Sequence, residues 1–316
     1  MWPEGGSDGI LILATTNGLL SLNLDEDGEI GSGVDELETP PMSLLTQIQT
    51  GSGGQTLLLG FGENQQVWRF SIDAQGRIGS PSAVVGLTDA LQEQENVSVE
   101  TAVHVILPSE GARLFVGTDH GLLMANSSDF TGGFDSYWIF DINNAEDFVI
   151  PADAIDSALA ARVQALVVDG PRDANGDITS PQTLWVGTRG GVHQFDLITG
   201  PSNPMGAFSY DRMTNNDEIS ANNIQSILPL GDEVLIGSQW GTWALDADHS
   251  RSSGVEPDHT RIPGRVVDMA LLDVDGQPML FAALDPGTYA NMVLIDPLSN
   301  DSDSDGMPDG WEFIYG

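Results

Sequence analysis

The chain has 316 residues, 40% of them hydrophobic, with 47 acidic against 10 basic side chains and a formal net charge of −37. That apolar content supports a folded core and excludes global disorder, while the acidity excludes a nucleic-acid binder and disfavours adhesion to anionic lipid. Cysteine is absent, which removes disulfides, thiol nucleophiles and thiolate metal sites.

The N-terminus, Met1-Trp2-Pro3-Glu4-Gly5, has neither a basic n-region nor an apolar h-region, so no signal peptide is visible. No apolar run approaches the roughly 18 residues of a membrane helix. From Leu11 onward the chain repeats itself. In order, the copies are Leu11-Ile-Leu-Ala-Thr-Thr-Asn-Gly18, the looser Leu57–Gly62, Leu114-Phe-Val-Gly-Thr-Asp-His-Gly121, Leu184-Trp-Val-Gly-Thr-Arg-Gly-Gly191, Val234-Leu-Ile-Gly-Ser-Gln-Trp-Gly241, and the looser Leu280–Gly287. Each reads as an apolar β-run, a short polar turn closed by glycine, and a second alternating strand such as Val192–Asp196, which is a hairpin signature. The closing glycine supplies the positive φ that the turn needs.

A further apolar strand lies ahead of five copies, at Ser43–Gln49, Thr101–Leu107, Arg162–Val168, Asn223–Leu230 and Arg265–Leu272. A more polar strand follows, as at Tyr137–Asp141, Ala207–Arg212 or Gly254–Ile262. The order is buried, buried, amphipathic, exposed, the gradient expected of a propeller blade. Trp185, Phe115, Phe281 and Leu235 share one position and are expected in the core. Spacings between copies run from 45 to 70 residues, which fits loops inserted between blades. Helical periodicity is confined to Ala152–Ala161. The first copy lacks a preceding strand, so the expected fold is an all-β propeller of about six recognisable blades, or part of a seven-bladed ring, within a longer protein. The domain reading is a propeller over 1–297 and a short segment over 298–316.

The repeat resembles the two-component-regulator propeller repeat, with Leu184–Phe195 its closest copy and Asn222–Leu228 similar to that family's inter-repeat strand. The resemblance covers residues 10–296 in six copies. It implies the fold and leaves the chemistry open.

Residues 301–312 carry the sharpest chemical signal. Asp301, Asp303, Asp305, Asp309 and Glu312 stand at positions 1, 3, 5, 9 and 12 of a calcium loop, with Gly306 at the sharp turn and Met307 offering its carbonyl. Calcium wants six or more oxygen ligands, and five carboxylates in twelve residues repel one another without a cation. The alternative is an acidic linker. With Asp296-Pro297 upstream, the segment resembles the calcium repeats of thrombospondin type 3 and of secreted bacterial and archaeal surface proteins. Calcium is therefore the expected cofactor, and an extracellular or cell-surface setting, which supplies it at millimolar level, the expected location.

No catalytic fingerprint is present. The five histidines lack ligand spacing, and no nucleophile elbow, P-loop or dinucleotide motif occurs. The hairpin turns, expected at the channel face, hold Asn17, Asn64, Asp119, His120, Arg189, Gln239 and Trp240. Of these Trp240, Arg189, His120, Gln239 and Asn17 are the candidate ligand contacts, against the plainer reading of solvated turns. The expected function is non-catalytic binding of a protein or carbohydrate ligand at that face. The alternatives are a propeller-fold polysaccharide lyase using His120 and carboxylates, or the sensor domain of a signalling receptor.

All ten basic residues are arginine, and aspartate outnumbers glutamate about two to one. Such a surface repels itself at low salt, so a saline habitat is expected, with drift in a GC-rich genome the alternative.

Overall fold

Six antiparallel meanders account for the strands of the computed structural model, which describes residues 9–15, 18–24, 30–49, 56–73, 77–107, 111–127, 130–131, 134–143, 160–171, 178–197, 208–210, 223–230, 233–238, 241–246, 265–274, 277–284 and 292–295. The contacts divide the chain into two compact units, Met1–Asn143 with Gly170–Gln182, and Asn144–Asp169 with Thr183–Gly316.

The first unit holds three sheets. The strands are β1 (Gly9–Thr15), β2 (Gly18–Leu24) and β3 (Ile30–Glu38); β4 (Met42–Gln49), β5 (Thr56–Gly62), β6 (Val67–Ser71) and β7 (Ser82–Ala83); and β8 (Val99–Leu107), β9 (Gly111–Thr118), β10 (Gly121–Asn126) and β11 (Asp135–Asp141). In each sheet, neighbours in sequence are neighbours in space. The sheets stack through apolar faces. Leu19, Met42, Leu58 and Phe70 fill the first seam, and Ile48, Leu59, Phe61, Leu114, Val116 and Leu123 are part of the second.

The second unit repeats the plan. Its strands are β12 (Val163–Asp169), β13 (Thr183–Thr188), β14 (Gly191–Asp196) and β15 (Phe208–Tyr210); β16 (Ile224–Leu230), β17 (Glu233–Ser238) and β18 (Gly241–Asp246); and β19 (Val266–Val274), β20 (Gln277–Leu284) and β21 (Met292–Ile295). Trp185, Ile224, Ile227 and Ile236 close one seam, and Leu235, Val266, Met269 and Leu280 the other. At both seams a glycine of the repeat lets the next sheet approach. A Cβ on Gly187 would stand 2.7 Å from Cγ2 of Ile224, and one on Gly237 would stand 2.9 Å from Cγ1 of Val266. The fourth position of the repeat is small because the neighbouring sheet's first strand lies on it.

Stacking on both sides explains which strands are most buried. Leu114, Phe115 and Val116 of β9 are fully buried, and so are Leu184, Trp185 and Val186 of β13. Phe115, Trp185 and Leu235 sit in the core as expected, while Phe281 is half-buried. The third strand is more buried than its alternating pattern predicts, since Leu122, Leu123, Met124 and Ala125 of β10 are all inaccessible. The first strand is less buried, and Val99–His104 of β8 is half-exposed. That strand has a pairing partner on one edge only among the described residues.

One helix, α1 (Val85–Gln92), departs from the sequence reading. It follows β7 and buries Leu87, Ala90 and Leu91 against the second seam of the first unit. Its i, i+3, i+4 apolar spacing was present, but eight residues with no N-cap side chain and with Gly86 in the first turn give a faint pattern. Of the segment read as helical, residues 152–159 lie outside the described residues, as does Gly254–Ile262. No helix among the described residues is long and apolar enough to cross a membrane.

Candidate functional site

The hairpin turns that carry the candidate residues are built alike. Thr15, Thr118, Thr188 and Ser238 each donate a hydroxyl hydrogen bond to the carbonyl of the glycine three residues on, at 3.0, 3.0, 3.1 and 3.1 Å. Those glycines, Gly18, Gly121, Gly191 and Gly241, have φ of +134°, +146°, +143° and +140°, a region that L side chains rarely adopt. At two turns the same hydroxyl also accepts a main-chain N–H, from His120 at 3.1 Å and from Gly190 at 3.0 Å. Thr118, Thr188 and Ser238 are wholly buried. The fifth position of the repeat is thus a hydroxyl clasp. It fixes the turn's backbone and leaves the two central residues free to vary.

The variable residues meet the start of the neighbouring first strands. Asp119 N–H donates to the Ser98 carbonyl at 3.0 Å, and Ser98 N–H returns a bond to Asp119 Oδ1 at 2.8 Å. The same carboxylate oxygen lies 2.8 Å from His120 Nδ1. Asp119 therefore orients the half-buried His120 ring through one nitrogen. In the second unit Arg189 takes the equivalent place, its N–H donating to the Arg162 carbonyl at 3.1 Å. Its own carbonyl accepts the Asn223 N–H at 3.1 Å. Asn64 caps a longer turn between β5 and β6, with φ of 57° and its carbonyl held by Gln92 Nε2 at 3.1 Å.

A β-bulge recurs in the first strand of five sheets. The register slips by one residue at Ser43, Glu100, Gln164, Gln225 and Val267, always near the start of the first strand. Bulges re-aim side chains, so in each unit they change which first-strand residues face the strand's end. The repeat alignment gave no hint of them, because an extra residue in the first strand leaves no mark on an apolar run.

No family model matches the chain, and no curated protein matches it. Among solved structures it is similar to the extracellular domain assigned to the hybrid two component system BT4673 of B. thetaiotaomicron, with 14% identity and a TM-score of 0.51 over 90% of this chain and 30% of that one. It is also similar to Sqt1 of Chaetomium thermophilum, bound to the N-terminus of ribosomal protein L10 (14% identity, TM-score 0.48, 92% of this chain and 68% of that one). A third is PorZ, a surface component of the type-IX secretion system of Porphyromonas gingivalis (11%, 0.46, 92% and 34%). The fold is of the β-propeller type.

In this propeller the two candidates that lie among the described residues, His120 and Arg189, belong to different units. Asn17, Gln239, Trp240 and the calcium-loop residues Asp301, Asp303, Asp305, Met307, Asp309 and Glu312 lie outside the described residues. Among the described residues, no three His, Asp or Glu side chains converge to hold a metal ion. His104 and His193, both inside strands, are held neutral by burial, with pKa values lowered to about 4 and about 3.

Proposed function

We propose that the propeller is a non-catalytic binding domain displayed outside the cell, with its ligand held by the turns at the clasped ends of the sheets. The observation that carries this is the clasp itself. Four turns share one hydroxyl-to-carbonyl bond, yet their central pairs read Thr16-Asn17, Asp119-His120, Arg189-Gly190 and Gln239-Trp240. Rigid turns with divergent tips are how scaffolds present recognition side chains. Trp240 stands where the other copies carry small or polar residues, and an aromatic ring there suits stacking on a sugar or anchoring a partner. The extracellular neighbour and the calcium register at 301–312 support placement outside the cell, with a calcium-stabilised segment after the propeller.

Peptide and glycan arrays probed with the wild type, Trp240→Ala and His120→Ala test this. We expect binding that at least one turn variant reduces tenfold or more. No binding by the wild type, or equal binding by all three, overturns the reading. A second reading is a carbohydrate-active enzyme, favoured by the Asp119-oriented His120 ring, which has the arrangement of a general base. Chain cleavage of an array glycan that is lost in His120→Ala would establish it.

A further inference from the structure

The first sheet has an open edge at a place that the other five sheets close. By the repeat, β1 is a second strand. Leu11–Gly18 aligns with Leu114–Gly121, Leu184–Gly191 and Val234–Gly241, and Thr15 makes the same clasp. The second strands β5, β9, β13, β17 and β20 each lie between a first and a third strand. β1 pairs with β2 alone among the described residues, so along Leu11–Ala14 one row of main-chain N–H and C=O groups has no strand beside it. The adjoining face is open as well. Leu11 and Leu13 are 41% and 39% exposed, whereas Leu114 and Val116, Leu184 and Val186, and Val234 and Ile236, at the same repeat positions, are fully buried. Alternate residues share a face, so the two leucines form an apolar strip beside the unpaired main chain.

Nothing in β1 discourages pairing. Proteins blunt an exposed edge with lysine, with proline or with a bulge that twists it away. The first strands β4, β8, β12, β16 and β19 stand at the edges of their sheets among the described residues, and each carries a bulge. β1 reads Gly-Ile-Leu-Ile-Leu-Ala-Thr, with no charge and no proline, and its register with β2 is unbroken from Gly9 to Thr15. Charge selects the occupant. Before Arg69 the chain has ten acidic residues and no arginine, lysine or histidine, so this stretch attracts cations with no positive group to oppose them. A second copy would bring the same negative charge to the same edge and be repelled.

We infer that β1 is a docking edge for an extended peptide of another protein, apolar at alternate positions and flanked by arginine or lysine. The peptide adds a strand antiparallel to β1, where a first strand lies in the other sheets. Its main chain bonds the open row, its apolar side chains stand opposite Leu11 and Leu13, and its basic ends answer the acidic surroundings. The site is a strand edge and not a turn, so it is independent of the turn-face reading.

The full chain is titrated, by fluorescence anisotropy, with a dye-labelled peptide of alternating valine and threonine that carries arginine pairs at both ends. Companion peptides have glutamate in place of arginine, N-methyl groups on the valines, or N-methyl groups on the threonines. We expect saturable binding of the arginine-flanked peptide at about 0.15 M NaCl. It should weaken severalfold at about 1 M, as the screening length drops from about 8 Å to about 3 Å. Only one of the two N-methylated peptides should lose affinity, by tenfold or more, because successive N–H groups point to opposite sides of a strand. Amide hydrogen exchange should slow within Gly9–Thr15 on binding. The variant Leu11→Lys, Leu13→Lys should bind at least tenfold more weakly, and Trp240→Ala should bind as the wild type does. No binding, no difference between the N-methylated peptides, equal affinity for the glutamate-flanked peptide, indifference to the lysine pair or dependence on Trp240 overturns the proposal. Slow exchange of every amide from Leu11 to Ala14 in the unliganded monomer would show that the chain's own segment fills the edge. A dimer that the lysine pair dissociates would show that a second copy does, and either result overturns the proposal too.

Discussion

Nε2 of the fully buried His193 lies 3.0 Å from the hydroxyl of Thr188. That hydroxyl has one proton, which its bond to the Gly191 carbonyl uses, so the imidazole donates and is the Nε2–H tautomer. Burial holds the ring neutral, with its pKa lowered from 6.5 to about 3. The unfolded chain therefore binds this proton more readily than the folded one between those values. Stability is complete above about pH 6.5 and falls as pH drops toward 3, by about 1.4 kcal/mol per pH unit for this ring. His104, lowered to about 4, acts in the same direction over a narrower range. Urea melts at pH 7.5, 5.5 and 4.5 should show the loss, and His193→Gln should flatten it. A variant with the wild-type slope would mean that the ring does not control the acid limb.

The clasp hydroxyls are tested by removing oxygen while keeping shape. Thr118→Val removes the hydroxyl's bonds to the Gly121 carbonyl and the His120 N–H, and Thr188→Val removes those to the Gly191 carbonyl and the His193 Nε2–H, while the Gly190 N–H keeps the Ala160 carbonyl. We expect each to cost about 1–3 kcal/mol by urea denaturation. Thr15 is only part-buried, so water can replace its hydroxyl, and Thr15→Val should cost less. Equal, negligible losses at all three would show that the closing glycine alone sets the turn.

Much of this was legible because a propeller repeats its physics. Aligning Leu114–Gly121, Leu184–Gly191 and Val234–Gly241 located each hairpin and its positive-φ glycine, and the apolar runs located each first strand to within two residues. What stayed hidden depends on contacts between elements. The hydroxyl at the fifth position reads in sequence as a β-former, and only the turn shows that it is a hydrogen-bond clasp. The bond from the Arg189 N–H to the Arg162 carbonyl joins residues 27 apart, and the bulge beside it leaves no sequence mark.

Gly187 separates packing from backbone conformation. Its φ lies outside the glycine-favouring region, but a Cβ would stand 2.7 Å from Ile224 Cγ2 and 3.1 Å from the Ala165 Cβ. Gly111 is the converse, with φ of +80° and open space around it. We expect Gly187→Ala to cost about 1–3 kcal/mol by overpacking the seam. Ile224→Ala removes the Cγ2 methyl that the new Cβ would meet, so the double variant should cost less than the sum of the two single variants. If the two costs simply add, the two sheets do not press on each other at this point.

Calcium should act on the C-terminal segment and leave the propeller untouched. Calorimetry is expected to show heat for the intact chain that disappears in an Asp301→Ala, Glu312→Ala variant, because these remove the first and last positions of the loop. Trp311 lies inside the loop, so its fluorescence should respond in the intact chain alone. Equal heats for both proteins would make the segment an acidic linker.

Salt is the remaining lever. A net charge of −37 opposes the compact state by self-repulsion, and the acids outnumber possible cationic partners nearly five to one. Raising NaCl from about 0.1 M to about 1 M shortens the screening length from about 10 Å to about 3 Å, below the spacing of most surface charges. The urea midpoint should rise over that range, with chelator present throughout to hold calcium out. KCl should match NaCl, because screening depends on ionic strength alone. An equal concentration of sucrose strengthens burial without screening, so it should do less. Arg77, paired with Asp73 at 3.0 Å in an exposed turn, gives a local check of sign. Salt weakens that attraction, so Arg77→Gln should cost less at 1 M than at 0.1 M while the whole protein gains. A midpoint that is flat or falling with salt would show that the acidic surface is neutral to stability, and the arginine-only composition would then be left to genome bias.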